Sequence, residues 1–303
     1  MRRLSASRCA SRSIMDCPSL IVRSLVLLIL MTGATISSGA LVEGVQKCLE
    51  QAGATKKDLE QWNKNTKKYA TASVKTSGDV IVIGGGGSGM SAALSALESG
   101  AKKVVILEKL GYLGGSTQVS GGAFNAVDDK RQKAQGIVDS FPIFFEATMR
   151  GGHYKGDPEL VHYLTYNSIH ALEWLEKEGV VFRDKIGAAT GSLGQRSHYG
   201  VKPAGWAYTS VFENRLKSFG DRVEILTDIQ AKSLVMKNGA VAGVKALRHG
   251  KQSVTVTGPS VVIATGGFGA NIPFRQKVNT GVWKEVKLDS RIGTTNVNKP
   301  KIS

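Results

Sequence analysis

Short apolar runs and helical patterns alternate along most of the chain. An apolar strand over 80–83 is followed by a glycine-rich turn and by a helix of small residues over 90–98, which stops at Ser99-Gly100. A second apolar strand follows over 104–107. Buried strands that alternate with a helix are typical of a parallel sheet covered by helices. The pattern therefore predicts an α/β fold from Asp79 onward.

A long helix and a series of strands are predicted further along the chain. Asp157 is the expected N-cap of a helix that begins at Pro158 and stops at Gly179. The apolar positions of this helix that are expected to face the core are Leu160, Leu164, Ile169, Leu172 and Leu175. The following strands are predicted over 223–226, 231–236, 241–247, 253–257 and 261–264, with a hairpin turn at Asn238-Gly239. Such an antiparallel excursion, which returns to a parallel strand, is unlike the repeated strand–helix units of a nicotinamide-dependent dehydrogenase and favours FAD over NAD.

The turn after the first strand has the spacing of a dinucleotide-binding loop. Gly84 permits a tight turn, Gly86 lets the backbone approach a pyrophosphate, and Gly89 lets the helix pack on the strand. The helix N-terminus then faces the negative charge. Glu108 lies 19 residues after Gly89, about where a carboxylate is expected to bind the ribose hydroxyls. The complete unit favours a dinucleotide site over an ordinary glycine-rich loop.

Residues 1–40 have the composition of a targeting or anchoring segment. An opening rich in Arg and Ser precedes an apolar run over 25–31 and a small-residue exit. This order is typical of a secretory signal, which predicts an exported (periplasmic or secretory) protein. A membrane anchor retained over 20–36 and a mitochondrial presequence are the alternatives.

Composition narrows the classes of partner. The chain has 303 residues, 42% hydrophobic and 21% charged, as expected for a globular protein that buries a core. Its net charge of +16 suits anionic ligands such as a pyrophosphate or a carboxylate, and no motif indicates a nucleic-acid partner. Cys9 and Cys17 lie in the first 40 residues and leave Cys48 without an intrachain partner, and no C-x-x-C-H motif or metal site is present.

Several further motifs follow the glycine loop. They are Glu108-Lys109, Gly114-Gly115-Ser116-Thr117, Ser120-Gly121-Gly122-Ala123-Phe124-Asn125-Ala126, Gly156-Asp157-Pro158-Glu159-Leu160, Arg196-Ser197-His198 and Ala264-Thr265-Gly266-Gly267-Phe268. In combination the chain resembles the flavoprotein family of soluble fumarate reductases, flavocytochromes c and urocanate reductases, from about Asp79 to Asn296. The resemblance implies a Rossmann-like FAD-binding domain of the glutathione-reductase type with an antiparallel β excursion.

The resemblance also implies FAD as the cofactor and assigns its contacts. These are the pyrophosphate loop (Gly84, Gly86, Gly87, Ser88 and Gly89), the ribose acid and its neighbour (Glu108 and Lys109), the central part of the cofactor (Ser116 and Thr117), the flavin ring (Gly121, Gly122 and Ala123), adenine (Ala231) and the returning strand (Thr265 and Gly266). Glycine and alanine let the backbone come close to a flat ring. Two roles are open for Arg196 and His198: they face the flavin or substrate, or they hold a loop in place.

A reaction is implied by the same resemblance. In this family a hydride passes from the reduced flavin to an activated double bond, and a positioned arginine donates a proton. A buried guanidinium polarises the substrate as charge develops. The expected substrate is a small unsaturated carboxylate such as fumarate or urocanate, and the electron donor is unidentified. No catalytic residue is assigned, because in the family the acid lies on a cap domain that follows this segment.

The likeness ends near Asn296. Residues 294–296 resemble the start of a stretch that continues in the family to Gly-Asp-Gly, and 297–303 depart from it. After a helical lead-in and linker over 41–77, residues 78–303 are therefore expected to form an incomplete FAD-binding domain that lacks the cap and the C-terminal FAD segment, in a truncated, inactive form. The alternatives are a non-catalytic flavin-binding remnant or interaction protein, a related ketosteroid dehydrogenase or amino-acid oxidase, and a nicotinamide-binding module.

Overall fold

The computed structural model describes residues 44, 46–58, 71–189, 194–268 and 271–279. They belong to two compact units, one over 71–267 and a smaller one that includes the described parts of 44–58 and 268–279. The predicted targeting segment over 1–40 and the motif over 294–296 lie outside the described residues.

The larger unit contains most of the regular structure. Its described elements, in chain order, are β1 (Val74–Ser77), β2 (Val80–Ile83), α1 (Gly87–Glu98), β3 (Val104–Leu107), α2 (Gly115–Gln118), β4 (Ala123–Asn125), α3 (Asp129–Ala134), α4 (Phe141–Gly151), α5 (Pro158–Glu178), β5 (Ser197–Tyr199), α6 (Trp206–Ser218), β6 (Val223–Leu226), β7 (Ile229–Lys237), β8 (Ala240–Arg248), β9 (Gln252–Thr257) and β10 (Ser260–Ile263).

A parallel sheet forms the centre of this unit, in the strand order β10-β2-β3-β6. Ile81 pairs with Val105 and Val82 with Ile106 in the register of β2 and β3. The apolar runs are continuous because both faces of the sheet are covered. The predicted Rossmann-like arrangement of β2, α1 and β3 is confirmed.

The second sheet is the predicted antiparallel excursion, in the order β1-β9-β8-β7. Strands β7 and β8 form a hairpin whose turn residues Asn238 and Gly239 both have positive φ, 52° and 78°, as a two-residue turn of this hand requires. Strand β1 pairs in parallel with β9, so the end of the segment over 41–77, expected to be a helical lead-in and linker, contains a strand. Its residues alternate between half-buried and exposed, and this short polar edge strand leaves little hydrophobic signal.

Two apolar layers cover the two faces of the parallel sheet. Ile81 and Val105 pack with Val244 and Val254 of the second sheet. The opposite face packs against α1, α5 and α6, where Leu94 is fully buried. This order of sheet, sheet and helices is the architecture expected for the domain, and it leaves the carboxyl ends of β2, β3 and β10 at one edge.

Helix α5 confirms the predicted caps. The Asp157 carboxylate accepts a hydrogen bond from the Glu159 N–H at 3.0 Å, and Gly179 ends the helix in the left-handed region. Both are the capping roles that these residue types favour.

The predicted apolar face of α5 is only partly correct. Leu172 and Leu175 are buried in the core, whereas Leu160 and Leu164 are 69% and 59% exposed. The prediction was wrong for these two leucines because only the C-terminal half of the helix packs on the central layer.

The smaller unit is described by itself. Residues 46–51 are helical, and Asn271 caps a further helix, α7 (Ile272–Val278), by accepting from the Phe274 N–H at 3.2 Å. Cys48 is exposed and is not in a disulfide. Within the residues described in either unit, no helix has the length and apolarity required to cross a membrane.

Candidate functional site

The turn from β2 into α1 requires glycine at two positions, one in the loop and one in the first turn of the helix. Gly84 has a φ of +106°, and a Cβ there would lie 2.3 Å from the Ala264 carbonyl oxygen. A Cβ on Gly89 would lie 1.8 Å from the Gly84 carbonyl oxygen. The tight turn and the close packing of helix on strand therefore have the backbone geometry that the sequence predicts.

Gly86 is different, because its local geometry does not require glycine. A Cβ there would meet only the Gly114 carbonyl oxygen, at 3.9 Å. Its φ of −77° is open to any residue, and it is the N-cap of α1 without a side-chain capping bond. The space in front of Gly86 is thus a cradle at a helix N-terminus, which fits a dinucleotide pyrophosphate.

Glu108 joins the glycine loop to the end of β3. Its buried carboxylate accepts hydrogen bonds from the Gly85 N–H and the Leu110 N–H, both at 2.7 Å. Each carboxylate oxygen has a second lone pair, so the side chain can hold the loop and also accept from a ribose hydroxyl. Burial lowers the pKa of the neighbouring Lys109, against the opposing effect of Glu108.

The second glycine motif lies alongside the first. The Gly114 N–H donates to the Gly85 carbonyl oxygen at 2.8 Å. Thr117 Oγ1 accepts from the Gly87 N–H at 3.2 Å, which satisfies an amide of the first turn of α1. Ser116 is half-buried on the same short helix, α2. The two segments predicted to contact the pyrophosphate and the central part of the cofactor are therefore brought together.

The turn predicted to line the flavin exposes two of its three residues. Gly121 and Ala123 are exposed, and a Cβ on Gly121 would meet no atom within 4 Å. Gly122 is buried between them with a φ of +75°, and a Cβ there would lie 2.5 Å from the Ala204 carbonyl carbon. The exposed backbone leaves room for a flat ring, as the fit to a flavin requires.

The remaining predicted contacts also lie near the loop and Glu108. Thr265 follows β10 and its Cα lies 3.4 Å from the position that a Cβ on Gly84 would take, and Gly266 is exposed next to it. Ala231 is two residues after Ile229, whose N–H donates to the Glu108 carbonyl oxygen at 2.8 Å. A β-bulge follows Ala231 in β7.

Arg196 is buried in an ion pair. Its Nε and Nη2 atoms donate to the two Asp139 carboxylate oxygens at 2.8 and 2.7 Å, and its guanidinium lies 4.5 Å from the centre of the Phe144 ring. Burial alone would raise the pKa of Asp139, but the hydrogen bonds from Arg196 and Gln132 outweigh it and lower that pKa. Of the two roles left open for Arg196, the structure shows the one that ties down a loop.

His198 has a similar structural role. It is fully buried, with Nδ1 3.2 Å from the Phe124 carbonyl oxygen and Nε2 3.3 Å from Asp128 Oδ2. Phe124 and His198 are opposite each other in an antiparallel ribbon of β4 and β5, which the sequence pattern does not predict. His198 thus fastens the strand that continues from the flavin-lining turn. Across the described residues, no group of His, Cys, Asp and Glu side chains is arranged to hold a metal ion.

Replacing Asp139 by asparagine should destabilise the protein strongly. The change leaves the Arg196 guanidinium buried without a counter-charge, with both side chains 3% exposed, at a cost of about 3–5 kcal/mol. Urea unfolding measures it. Asp129→Asn is the matched control, since its partner Lys133 and it are both well exposed, and should change the free energy of unfolding by less than about 0.5 kcal/mol. Equal effects of the two changes would contradict a structural role for the Arg196–Asp139 pair.

Tyr208 donates a buried hydrogen bond to the Gly122 carbonyl oxygen at 2.7 Å. Burial, with a smaller contribution from Tyr199, raises the pKa of Tyr208 to about 12. Because this pKa is above the unfolded value of about 10, the protonated Tyr208 hydroxyl stabilises the folded protein. This stabilisation is complete below about pH 10 and is lost as the pH rises towards 12. The free energy of unfolding should fall over that range, and less steeply in Tyr208→Phe. Identical slopes in both proteins would show that Tyr208 does not titrate with folding.

These features together define a dinucleotide-binding domain with the architecture of FAD-dependent oxidoreductases. Residues 79–284 match the family described as FAD binding domain. The chain belongs to this family, and its cofactor is FAD.

Relatives of known activity agree with this assignment. The chain is 31% identical to the NADH:acrylate oxidoreductase of Vibrio harveyi, over 88% of this chain and 32% of that protein. It is 33% identical to the urocanate reductase of Eggerthella lenta, over 88% of this chain and 44% of that protein. The family is one of FAD-dependent oxidoreductases that act on C=C bonds. The chain spans less than half the length of each of these two relatives.

Solved structures show the same fold. The open conformation of a flavocytochrome c3 fumarate reductase superposes with a TM-score of 0.62 at 26% identity, over 74% of this chain and 38% of that one. A 3-ketosteroid dehydrogenase from Rhodococcus jostii has a TM-score of 0.58 at 23% identity, over 70% of this chain and 50% of that one, and it shows the fold alone.

Proposed function

We propose that this chain provides the FAD site of a reductase that acts on small unsaturated carboxylates. The observation that carries the proposal is the pair of open backbone positions, Gly86 and Gly121, on two segments that are linked by the hydrogen bond from the Gly87 N–H to Thr117. The fold does not require glycine at either position, because a Cβ would fit at both. A ligand with a pyrophosphate at one end and a flat ring at the other would use both.

Each part of the site would hold one part of FAD. The loop over 84–89, with Ser88 at the start of α1, would bind the pyrophosphate, and Glu108 would accept from the ribose, next to Lys109. Ser116 and Thr117 would lie along the central part, and Gly121, Gly122 and Ala123 along the ring. Ala231 would approach the adenine, and Thr265 and Gly266 would contact the cofactor beside the loop over 84–89.

The chemistry of the reaction comes from the cofactor. When bound and reduced by two electrons from the donor, the flavin of FAD would supply a hydride to an activated C=C bond and return to its oxidised form. The protein residues would orient it. The N-terminus of α1, where Gly86 provides no side-chain cap, favours negative charge, and the lack of side chains at Gly86 and Gly121 would let the backbone lie against the ligand. Arg196, immediately before β5, is paired with Asp139 and would not act as a proton donor.

The substrate class rests on what the relatives act on. Their names specify acrylate, fumarate and urocanate, which share a C=C bond conjugated to a carboxylate. An acid of this kind is proposed as the substrate of the complete reaction, with an electron donor not yet identified.

Residues 1–40 are proposed to direct export, or to remain as a membrane tether.

Purified protein tests this proposal in two steps. After incubation with FAD and gel filtration, the protein fraction should keep flavin absorbance that is released on denaturation; a colourless, folded protein would contradict the FAD site. The reduced flavin is then mixed anaerobically with fumarate, acrylate or urocanate, with succinate as the saturated control. Reoxidation by an unsaturated acid, but not by succinate, would support the substrate class, and reoxidation by succinate as fast as by the unsaturated acids would contradict it.

A further inference from the structure

The start of helix α6 contacts the flavin-lining turn at several points. The Gly205 N–H donates to the Ser120 carbonyl oxygen at 3.0 Å, and the Tyr208 hydroxyl donates to the Gly122 carbonyl oxygen at 2.7 Å. A Cβ on Gly205 would lie 1.6 Å from the Thr117 carbonyl oxygen, so the two backbones are in direct contact. Helix α6 therefore holds the segment over 117–122 along most of its length.

The backbone at this contact is conformationally restricted on both sides. Ala204 has a φ of +55°, which is unfavourable for a residue with a Cβ. It packs against Gly122, itself at +75°. Strain of this kind persists only where surrounding contacts impose it, and the Tyr208 hydrogen bond is one such contact.

We infer that the start of α6 is a clamp that positions the flavin-lining turn, with Tyr208 as the positioning residue. Because Tyr208 engages the Gly122 carbonyl from inside the protein, that carbonyl points away from the surface that Gly121 and Ala123 expose. The orientation of the ring-binding backbone thus depends on a side chain that lies 86 residues further along the chain. This inference rests on the proposed FAD site.

The Tyr208 hydroxyl acts on one half of the site only. Its partner is the Gly122 carbonyl in the flavin-lining turn, whereas the adenosine and pyrophosphate half is held by Glu108 and the loop over 84–89. Loss of the Tyr208 hydroxyl should therefore affect a ligand that has a flavin and spare one that ends at the pyrophosphate. ADP is such a ligand, since it is the FAD molecule without its riboflavin.

Calorimetric titration of Tyr208→Phe with FAD and with ADP tests the inference. We expect FAD affinity to fall at least fivefold and ADP affinity to change less than twofold, relative to the wild type. Tyr163→Phe is the control, because this exposed tyrosine of α5 is remote from the turn in the chain and should leave both affinities unchanged. Unchanged FAD affinity in Tyr208→Phe, or an equal loss for both ligands, would overturn the clamp. If the wild type binds no FAD, it is the proposed function that fails.

A measurement on the wild type removes the dependence on a variant that folds poorly. Amide hydrogen exchange is compared in the presence of FAD and of ADP. FAD should slow exchange in both 119–123 and 204–209, and ADP in neither. Protection of 119–123 by FAD without any change over 204–209 would overturn the coupling of α6 to the turn.

Discussion

Gly86→Ala should lower the affinity for FAD by about tenfold or more, equivalent to about 1.4 kcal/mol, while the stability of the protein without FAD changes little. The added Cβ would occupy the cradle in front of the loop, where nothing in the protein lies closer than 3.9 Å. With a φ of −77°, alanine fits the backbone and reduces the freedom of the unfolded chain, a gain of about 0.4–1 kcal/mol that offsets the preference for glycine over alanine at a helix N-cap. A loss of affinity without a matching loss of stability separates a ligand effect from a folding effect. FAD titration and urea unfolding measure them.

Gly152→Ala is the matched control for this change. A Cβ on Gly152, at the end of α4, would make only ordinary contacts, at 3.5 Å to the Thr148 carbonyl oxygen and 3.6 Å to that of Met149. FAD affinity should be unchanged in this variant. If Gly86→Ala bound FAD as tightly as the wild type, the pyrophosphate would not lie against residue 86.

Glu108→Gln should destabilise the protein and weaken FAD binding together. The carboxylate accepts from the N–H groups of Gly85 and Leu110, and an amide would turn its NH₂ group towards one of these donors. A buried donor left without an acceptor costs about 1–3 kcal/mol. For a domain of this size, each kcal/mol lowers the melting temperature by roughly 2–4 °C.

The control for Glu108→Gln is Glu213→Gln on the surface of α6. Glu213 pairs with Lys217 one turn away, and both side chains are well exposed, so the free energy of unfolding should change by less than about 0.5 kcal/mol. A melting temperature for Glu108→Gln equal to that of the control would show that the carboxylate does not hold the loop. Full FAD affinity in the same variant would remove Glu108 from the ribose site.

Local signals made the β2–α1–β3 unit predictable from the sequence. The apolar runs over 80–83 and 104–107 are typical of buried strands when a glycine turn bounds them, and Asn238-Gly239 specifies a hairpin by its own conformational preference. The caps of α5 are equally local, since Asp157 and Gly179 act on the residues next to them.

Contacts between distant residues could not be predicted in this way. Strand β1 is polar and pairs with β9 near the other end of the unit, and the ribbon of β4 and β5 has strands of only three residues each. The ion pair of Arg196 with Asp139 joins residues 57 positions apart, and no sequence motif links the two positions. For the same reason the sequence left Arg196 and His198 undecided and did not point to Tyr208.

Titration of the purified protein with FAD and, separately, with NAD tests the central claim most directly. Saturable binding of one FAD per chain, with NAD bound far more weakly or not at all, is the result expected from the Gly86 cradle, the Glu108 carboxylate and the Gly121 turn. Folded protein that shows no saturable FAD binding, or that prefers NAD, would contradict it.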